Sequence, residues 1–200
     1  VLAQPRLRWM LALSGVLIAF NWGLYIWAVN AGHVVETSLG YFINPLLNVL
    51  LGVVFLRERL RVAQWLAVAI AAAGVAWLTL DYGRLPWIAL ALAASFALYG
   101  LVRKLAAVDS VAGLGVESVL LLPFALGALA WTGMRTGAMF GPDALSAALL
   151  VLAGILTALP LVGFAYAVRR VQLSTVGLLQ YIAPTLQLLL GVLVLGEAFD

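Results

Sequence analysis

The sequence predicts an all-α membrane protein, a polytopic helical bundle, and three observations carry that prediction. Of its 200 residues, 66% are hydrophobic and only 10% are charged, whereas a soluble domain is about half apolar and about a quarter charged. The charges sit almost wholly between long apolar runs, the pattern of a chain that crosses a bilayer repeatedly. Those runs are far longer than a barrel strand and do not alternate, which excludes strands as spans. Only helices then satisfy their backbone hydrogen bonds within lipid.

A span needs about twenty residues of helix to cross about 30 Å of hydrocarbon, and seven segments qualify. The first, approximately 9–30, follows the basic VLAQPRLRW and turns through AGHVV into the second, 36–56. That connection is too short for anything but a tight helical hairpin. RERLR leads to the third span, 62–80, where WLAVAIAAAGVAWL offers a surface of Ala and Gly. Small residues let helices approach closely, at an interface between halves or between the protomers of a homodimer. The fourth span, 86–102, lies between DYGRLP and RKLAAVDS; the fifth, 111–132, runs into TGMRTGAMFGPD. The sixth, 145–168, ends at RRVQ and the seventh covers 173–195. The chain opens without Met, directly before a span, and stops directly after one, so a piece of a longer protein is expected.

Lys and Arg set the expected orientation. Arg6, Arg8, Arg57, Arg59, Arg61, Arg103, Lys104, Arg169 and Arg170 fall on one side, and only Arg84 and Arg135 on the other. The positive-inside bias then places the N-terminus and the RERLR loop in the cytoplasm and AGHVV outside. The same placement explains the net charge of +3 as topogenic, so nucleic acid is not expected as a partner. With no cysteine there is neither a disulfide framework nor a thiolate metal site. His33 and Glu36 are neighbours in the outer loop, but two ligands without a third make no metal site. No Ser-His-Asp arrangement, HExxH or phosphate-binding glycine loop is present, and no cofactor is expected.

Shifting the chain by 139 residues exposes a repeat. LSGVLIAFNWGLYIWAVNAGHVVETSLGYFINPLLNVLLGVVFLRE then lies over LAGILTALPLVGFAYAVRRVQLSTVGLLQYIAPTLQLLLGVLVLGE. Gly15 meets Gly154, Pro45 meets Pro184, Gly52 meets Gly191 and Glu58 meets Glu197. The copies begin at spans one and six, five apart, so they enter the membrane from opposite sides. Inverted repeats of this kind underlie alternating access in many secondary transporters.

Several polar residues sit where lipid-facing surface would hold only aliphatics. Thr37, Tyr41, Asn44 and Asn48 share one helical face. The shifted copy sets Gln180 against Tyr41 and Gln187 against Asn48. Both stripes are expected to line a central pathway, the alternative being interhelical hydrogen bonding. Asn21 and Tyr25 share a face beside Trp22 near mid-depth, where an amide and aromatics suit an amphipathic solute. Pro45 and Pro184 each remove a helix hydrogen bond mid-span and are expected as hinges, against the alternative of ordinary kinks. Glu117 is the one acid expected inside a span: a proton carrier for coupling, the partner of a cytoplasmic Arg, or a half-solvated helix end. Glu58, among Arg57, Arg59 and Arg61, is expected in an interfacial ion-pair cluster with a gating or topological role.

YFINPLLNVLLGVVFLRERL, preceded by NWGLYIWAVNAGHVVETSLG, closely resembles the RarD-like branch of the EamA-type transporters in the drug/metabolite transporter superfamily. The resemblance implies a ten-helix fold of two inverted five-helix halves, of which the seven spans match the third to the ninth. Residues 1–82 are then three helices of the first repeat and residues 83–200 four helices of the second. It also implies a permease, an exporter of a small metabolite or drug, in the plasma membrane, which is the inner membrane of a Gram-negative cell. Together with the residues, this gives an expected transporter of a small amphipathic solute across the lipid bilayer by alternating access. Two other classes stand beside it: an intramembrane enzyme on lipid-linked substrates, for which clustered acids or metal ligands are lacking, and a non-transporting scaffold, which has no need of polar stripes.

Overall fold

Apolar runs of this length fold into helices throughout the computed structural model, which describes residues 4–83, 85–137, 143–189 and 193. The side chains of Thr136, Gln187 and Leu188 also lie outside the description. The helices are α1 (Pro5–Asn30), α2 (Val34–Leu56), α3 (Val62–Asp81), α4 (Trp87–Ala106), α5 (Ser110–Thr136), α6 (Ala144–Arg170), α7 (Leu173–Gln180) and α8 (Ile182–Leu189). Six of them, α1 to α6, are long and apolar enough to cross a membrane. The protein is a polytopic helical membrane protein. Local chemistry sets the helix ends. Asp109 Oδ1 accepts from the N–H groups of Val111 and Ala112 to start α5, and Asp143 Oδ1 accepts from Ser146 to start α6.

The seventh predicted span is divided into two helices over its described part. α7 and α8 are separated at Tyr181, whose N–H makes a tighter bond to Leu178 O at 3.3 Å. Pro184 supplies the reason: it has no N–H for the carbonyl of Gln180, and its ring crowds that carbonyl. Pro45 stands at the equivalent position, buried, yet α2 runs unbroken through it. The two prolines therefore have different backbone consequences in this conformation.

α4 is the helix around which the others pack. It buries Ile88, Ala89, Leu92, Ala93, Ala97, Tyr99 and Leu101, among others, and touches α1, α2, α6 and α7. Leu39 and Ile43 of α2 close on Ala89 and Ala93, while Val168, Leu173 and Val176 close on Leu101 nearer the RERLR end. α3 leans on α2 and buries none of its residues. Trp9, Phe20, Trp77, Phe124 and many Leu and Val side chains are exposed, as lipid-facing surface requires.

α2 and α7 cross antiparallel. The hydroxyl of Tyr181 donates to Phe42 O at 3.0 Å, whereas Gly52 lies against the N–H of Ser174 near the other end. Phe42 and Tyr181 are repeat equivalents, 139 residues apart. Two such residues touch where copies of opposite direction meet, which is the geometry an inverted repeat requires.

Candidate functional site

A cavity of about 530 Å³ lies inside the bundle between α1, α2, α4, α6 and the α7–α8 kink. Its walls come from both copies of the repeat at matching positions. Asn21, Trp22 and Tyr25 of α1 face it, and so do Pro160, Leu161 and Phe164, each 139 residues further on in α6. Tyr41 and Asn44 of α2 are answered by Gln180 and Ala183. Thr37, at the outer end of the α2 stripe, completes that wall. Among the described residues, none of the lining side chains is Asp, Glu, Lys, Arg or His.

Rings dominate one part of the lining. Tyr25 and Tyr41 meet edge to face with centroids 6.1 Å apart, and Phe96 and Phe164 stand 4.9 Å apart. Amides dominate another. Asn48 Nδ2 donates to Gln180 Oε1 at 2.7 Å, and Asn44 Nδ2 is within 3.5 Å of the same oxygen. Asn21 divides its roles: its Nδ2 donates to Leu92 O at 2.8 Å and to Ser95 Oγ at 2.9 Å, fixing α1 to α4 at the edge of the cavity.

The structure thus brings Asn21, Trp22, Tyr25, Tyr41, Asn44, Gln180 and Pro184 to one cavity. Asn48 sits outside the lining, fully buried, as the residue that anchors Gln180. Pro45 is buried as well, its carbonyl against Gly177. Gln187 falls in α8, and its side chain lies outside the described residues, as do Gly191 and Glu197. Sequence reasoning missed Leu92, Ala93 and Phe96 of α4, which carry no polar signal. It also missed Phe164 and Pro160, although the repeat offset from Tyr25 and Asn21 points to both.

Two acids stand differently from expectation. Glu117 is no half-solvated helix end: it is 1% exposed, its Oε1 accepts from Ser14 Oγ at 2.5 Å, and Arg103 Nη1 lies 3.2 Å away. It is away from the cavity lining, between α1, α4 and α5. Nor is it the sole buried acid, since Glu36 is 2% exposed and accepts from the Tyr82 hydroxyl at 2.6 Å and from Ile88 N–H. Glu58 is not held by the arginines around it. Its carboxylate takes the N–H groups of Leu173 and Ser174, because the chain reverses at Arg57 and points residue 58 towards α7.

Membrane-length helices around an internal polar and aromatic cavity are the architecture of a membrane transporter. The chain belongs to the EamA-like transporter family, whose sequence profile matches residues 2–80 and 85–200. It is 49% identical over 199 residues to "Protein RarD" of Streptomyces exfoliatus, covering 99% of this chain and 63% of that protein. It is 48% identical over 200 residues to an "Uncharacterized transporter" of Vibrio cholerae, covering 100% and 66%. With "Protein RarD" of Escherichia coli strain K12 it shares 49% over 198 residues, covering 98% and 67%. The chain therefore spans 63–67% of the length of these relatives. No solved structure matches.

Proposed function

We propose that the full-length protein is a permease of the bacterial inner membrane that exports a small amphipathic solute by alternating access. The observation that carries this reading is the lining: equivalent residues of two oppositely directed copies face one cavity. The relatives named as transporters support the coarser part of it, non-enzymatic transport. Rocking of the two halves would expose the cavity first at one end and then at the other. RERLR faces the cytoplasm, on the strength of the arginine bias.

The chemistry of the walls narrows the cargo. A net charge moved from bulk water into the cavity is favoured by a partner charge, and the described lining offers none. The solute is therefore uncharged while it is bound, with a flat or aromatic part for Tyr25, Tyr41, Phe96 and Phe164 and a polar edge for Asn44 and Gln180. Glu117 is the coupling residue, acting from beside the pathway through its Arg103 partner. The test is release from liposomes holding the full-length protein and preloaded with a mixture of cellular metabolites. Uncharged aromatic solutes are expected to leave at least several-fold faster than from protein-free liposomes, and Asn44→Leu with Gln180→Leu to abolish the excess. Equal release with and without protein would sink the reading.

A further inference from the structure

Among the described residues, three successive layers lie between the cavity and the RERLR connection. Directly beneath the cavity, Asn48 holds Gln180, and Gly177 presses on Pro45 so closely that an added Cβ would lie 2.7 Å from its carbonyl oxygen. Next comes the apolar layer of Leu101, Val168, Leu173 and Val176. Last comes Glu58, one residue beyond the cap of α2. Arg57 takes the left-handed conformation at φ 54°, and Glu58 N–H donates to Gly52 O at 3.0 Å. This reversal aims the carboxylate across the bundle.

Glu58 Oε1 accepts from Leu173 N–H at 2.8 Å, and Oε2 accepts from Ser174 N–H at 2.9 Å and from Ser174 Oγ at 2.7 Å. The N-terminus of α7 has no side-chain cap from its own Gln172, so the cap comes from a residue 115 positions earlier. An anion there is favoured by both the orphan N–H groups and the helix dipole. Lys104, at the end of α4, brings its Nζ to 3.5 Å from Glu58 Oε1 and donates to Val168 O and Val171 O. One carboxylate thus joins the ends of α2 and α7 directly, and those of α4 and α6 through Lys104.

We infer that Glu58, seated on the N-terminus of α7, is the gate that shuts the pathway at the RERLR end, and that its release opens the cavity on that side. The inference rests on reading the cavity as a solute pathway. Three features fit a contact made to be broken. It ties one copy of the repeat to the other, so rocking of the halves pulls directly on it. It lies beyond the end of α2, where water can take over the hydrogen bonds of a freed carboxylate, unlike the Arg103–Glu117 pair inside the bundle. The missing side chain of Gly52 also serves it, because a Cβ there would stand 2.6 Å from Glu58 Oε2. The bonds from Ser174 and Leu173 outweigh partial burial and hold the Glu58 carboxyl below the usual carboxylate range, so it stays ionised when seated.

The chain has no cysteine, and any cysteine in the rest of the full-length protein is first replaced by Ser, so that a single introduced thiol reports. The reporter is Asn44→Cys in the full-length protein, probed with a membrane-impermeant maleimide on vesicles of both orientations, with Arg59→Cys marking the RERLR side. With Glu58 intact, the reporter is expected to label from the AGHVV side. Glu58→Ala is expected to raise labelling from the RERLR side several-fold. Gly52→Ala, which displaces the carboxylate and leaves Glu58 in place, should do the same, and Ser174→Ala should have a smaller effect in the same direction. Unchanged sidedness in all three variants overturns the gate and leaves the pathway standing. A reporter that labels from neither side in any variant overturns both.

Discussion

Single residues carry sharply different burdens according to whether water can reach them. Arg103 and Glu117 are each 1% exposed and 3.2 Å apart, with Ser14 and the Ser110 carbonyl as further partners. Removing one member of such a pair leaves a buried charge uncompensated, at a cost of about 3–5 kcal/mol. Arg103→Met in the full-length protein is therefore expected to lower stability by that order in unfolding from mixed micelles. Arg103→Met combined with Glu117→Gln should recover most of the loss; an equal or larger loss in the double variant would count against the pair. Gly113 shares this environment, since any Cβ there would collide with the Arg103 guanidinium. Glu58 is the contrasting case. Its folded pKa lies below its ordinary value of 4.5. The stability it adds is therefore fully present above that value and is lost as pH falls through the depressed folded value. The groups around it are Lys104 from α4, Leu173 and Ser174 from α7, and Arg57 beside it in sequence. Labelling of the cavity reporter from the RERLR side is expected to stay constant from neutral pH down to about 5 and to rise only below 4.5, and Glu58→Gln should abolish that rise.

The helix pair α2 and α7 shows how small residues set the closeness of elements. Gly177 accommodates the Pro45 carbonyl and Asn48 Cβ, which would stand 2.7 and 3.0 Å from an added methyl. Gly177→Ala must part the two helices, and overpacking of this kind costs about 1–3 kcal/mol. Gly74→Ala, with nothing within 4 Å, should be neutral or slightly stabilising by the same unfolding measurement. A second expectation belongs to the kink between α7 and α8. Pro184→Ala restores an N–H that the Gln180 carbonyl can accept, so the helix can run straight. If the kink is a hinge, transport by this variant slows while half-saturating solute concentration stays near that of the parent. Equal rates would make the proline a packing feature. The repeat in the sequence pairs Pro45 with Pro184, but a proline alone does not say whether its neighbours hold the helix straight. Here Pro45 is fully buried within a continuous α2, whereas the less enclosed Pro184 lies beside the break between α7 and α8.

At the scale of the molecule, the cavity of about 530 Å³ has no Asp, Glu, Lys, Arg or His among its described lining, and on the proposed pathway that lining sets the expected cargo. Among aromatic solutes of matched size, release by the full-length protein is expected to favour the uncharged member over its permanently charged counterpart by at least tenfold. Preference for the charged member would mean that residues beyond this chain supply a counter-charge. The chain spans 63–67% of its relatives, so the assay must use the whole protein.

Much of this was legible in the sequence because the bilayer imposes a simple rule: a long apolar run must be a helix. The six long helices and their order, the repeat and the polar faces of α1 and α2 follow from hydrophobicity and spacing, but the division of the seventh predicted span into α7 and α8 does not. The family follows from the motif around Tyr41 to Leu60. Tertiary structure decided which residues meet. Leu92, Ala93 and Phe96 carry no polar signal, yet they line the cavity because α4 is packed at the centre. Asn48 belongs to the polar stripe but is sealed beneath the cavity by Gln180. Glu58 sits among arginines in sequence and is bound instead to a helix terminus 115 residues away. Hydropathy fixes what each element must be, because it depends on local composition. Partnership depends on the angle and depth at which helices cross, and those are set only when the whole bundle packs.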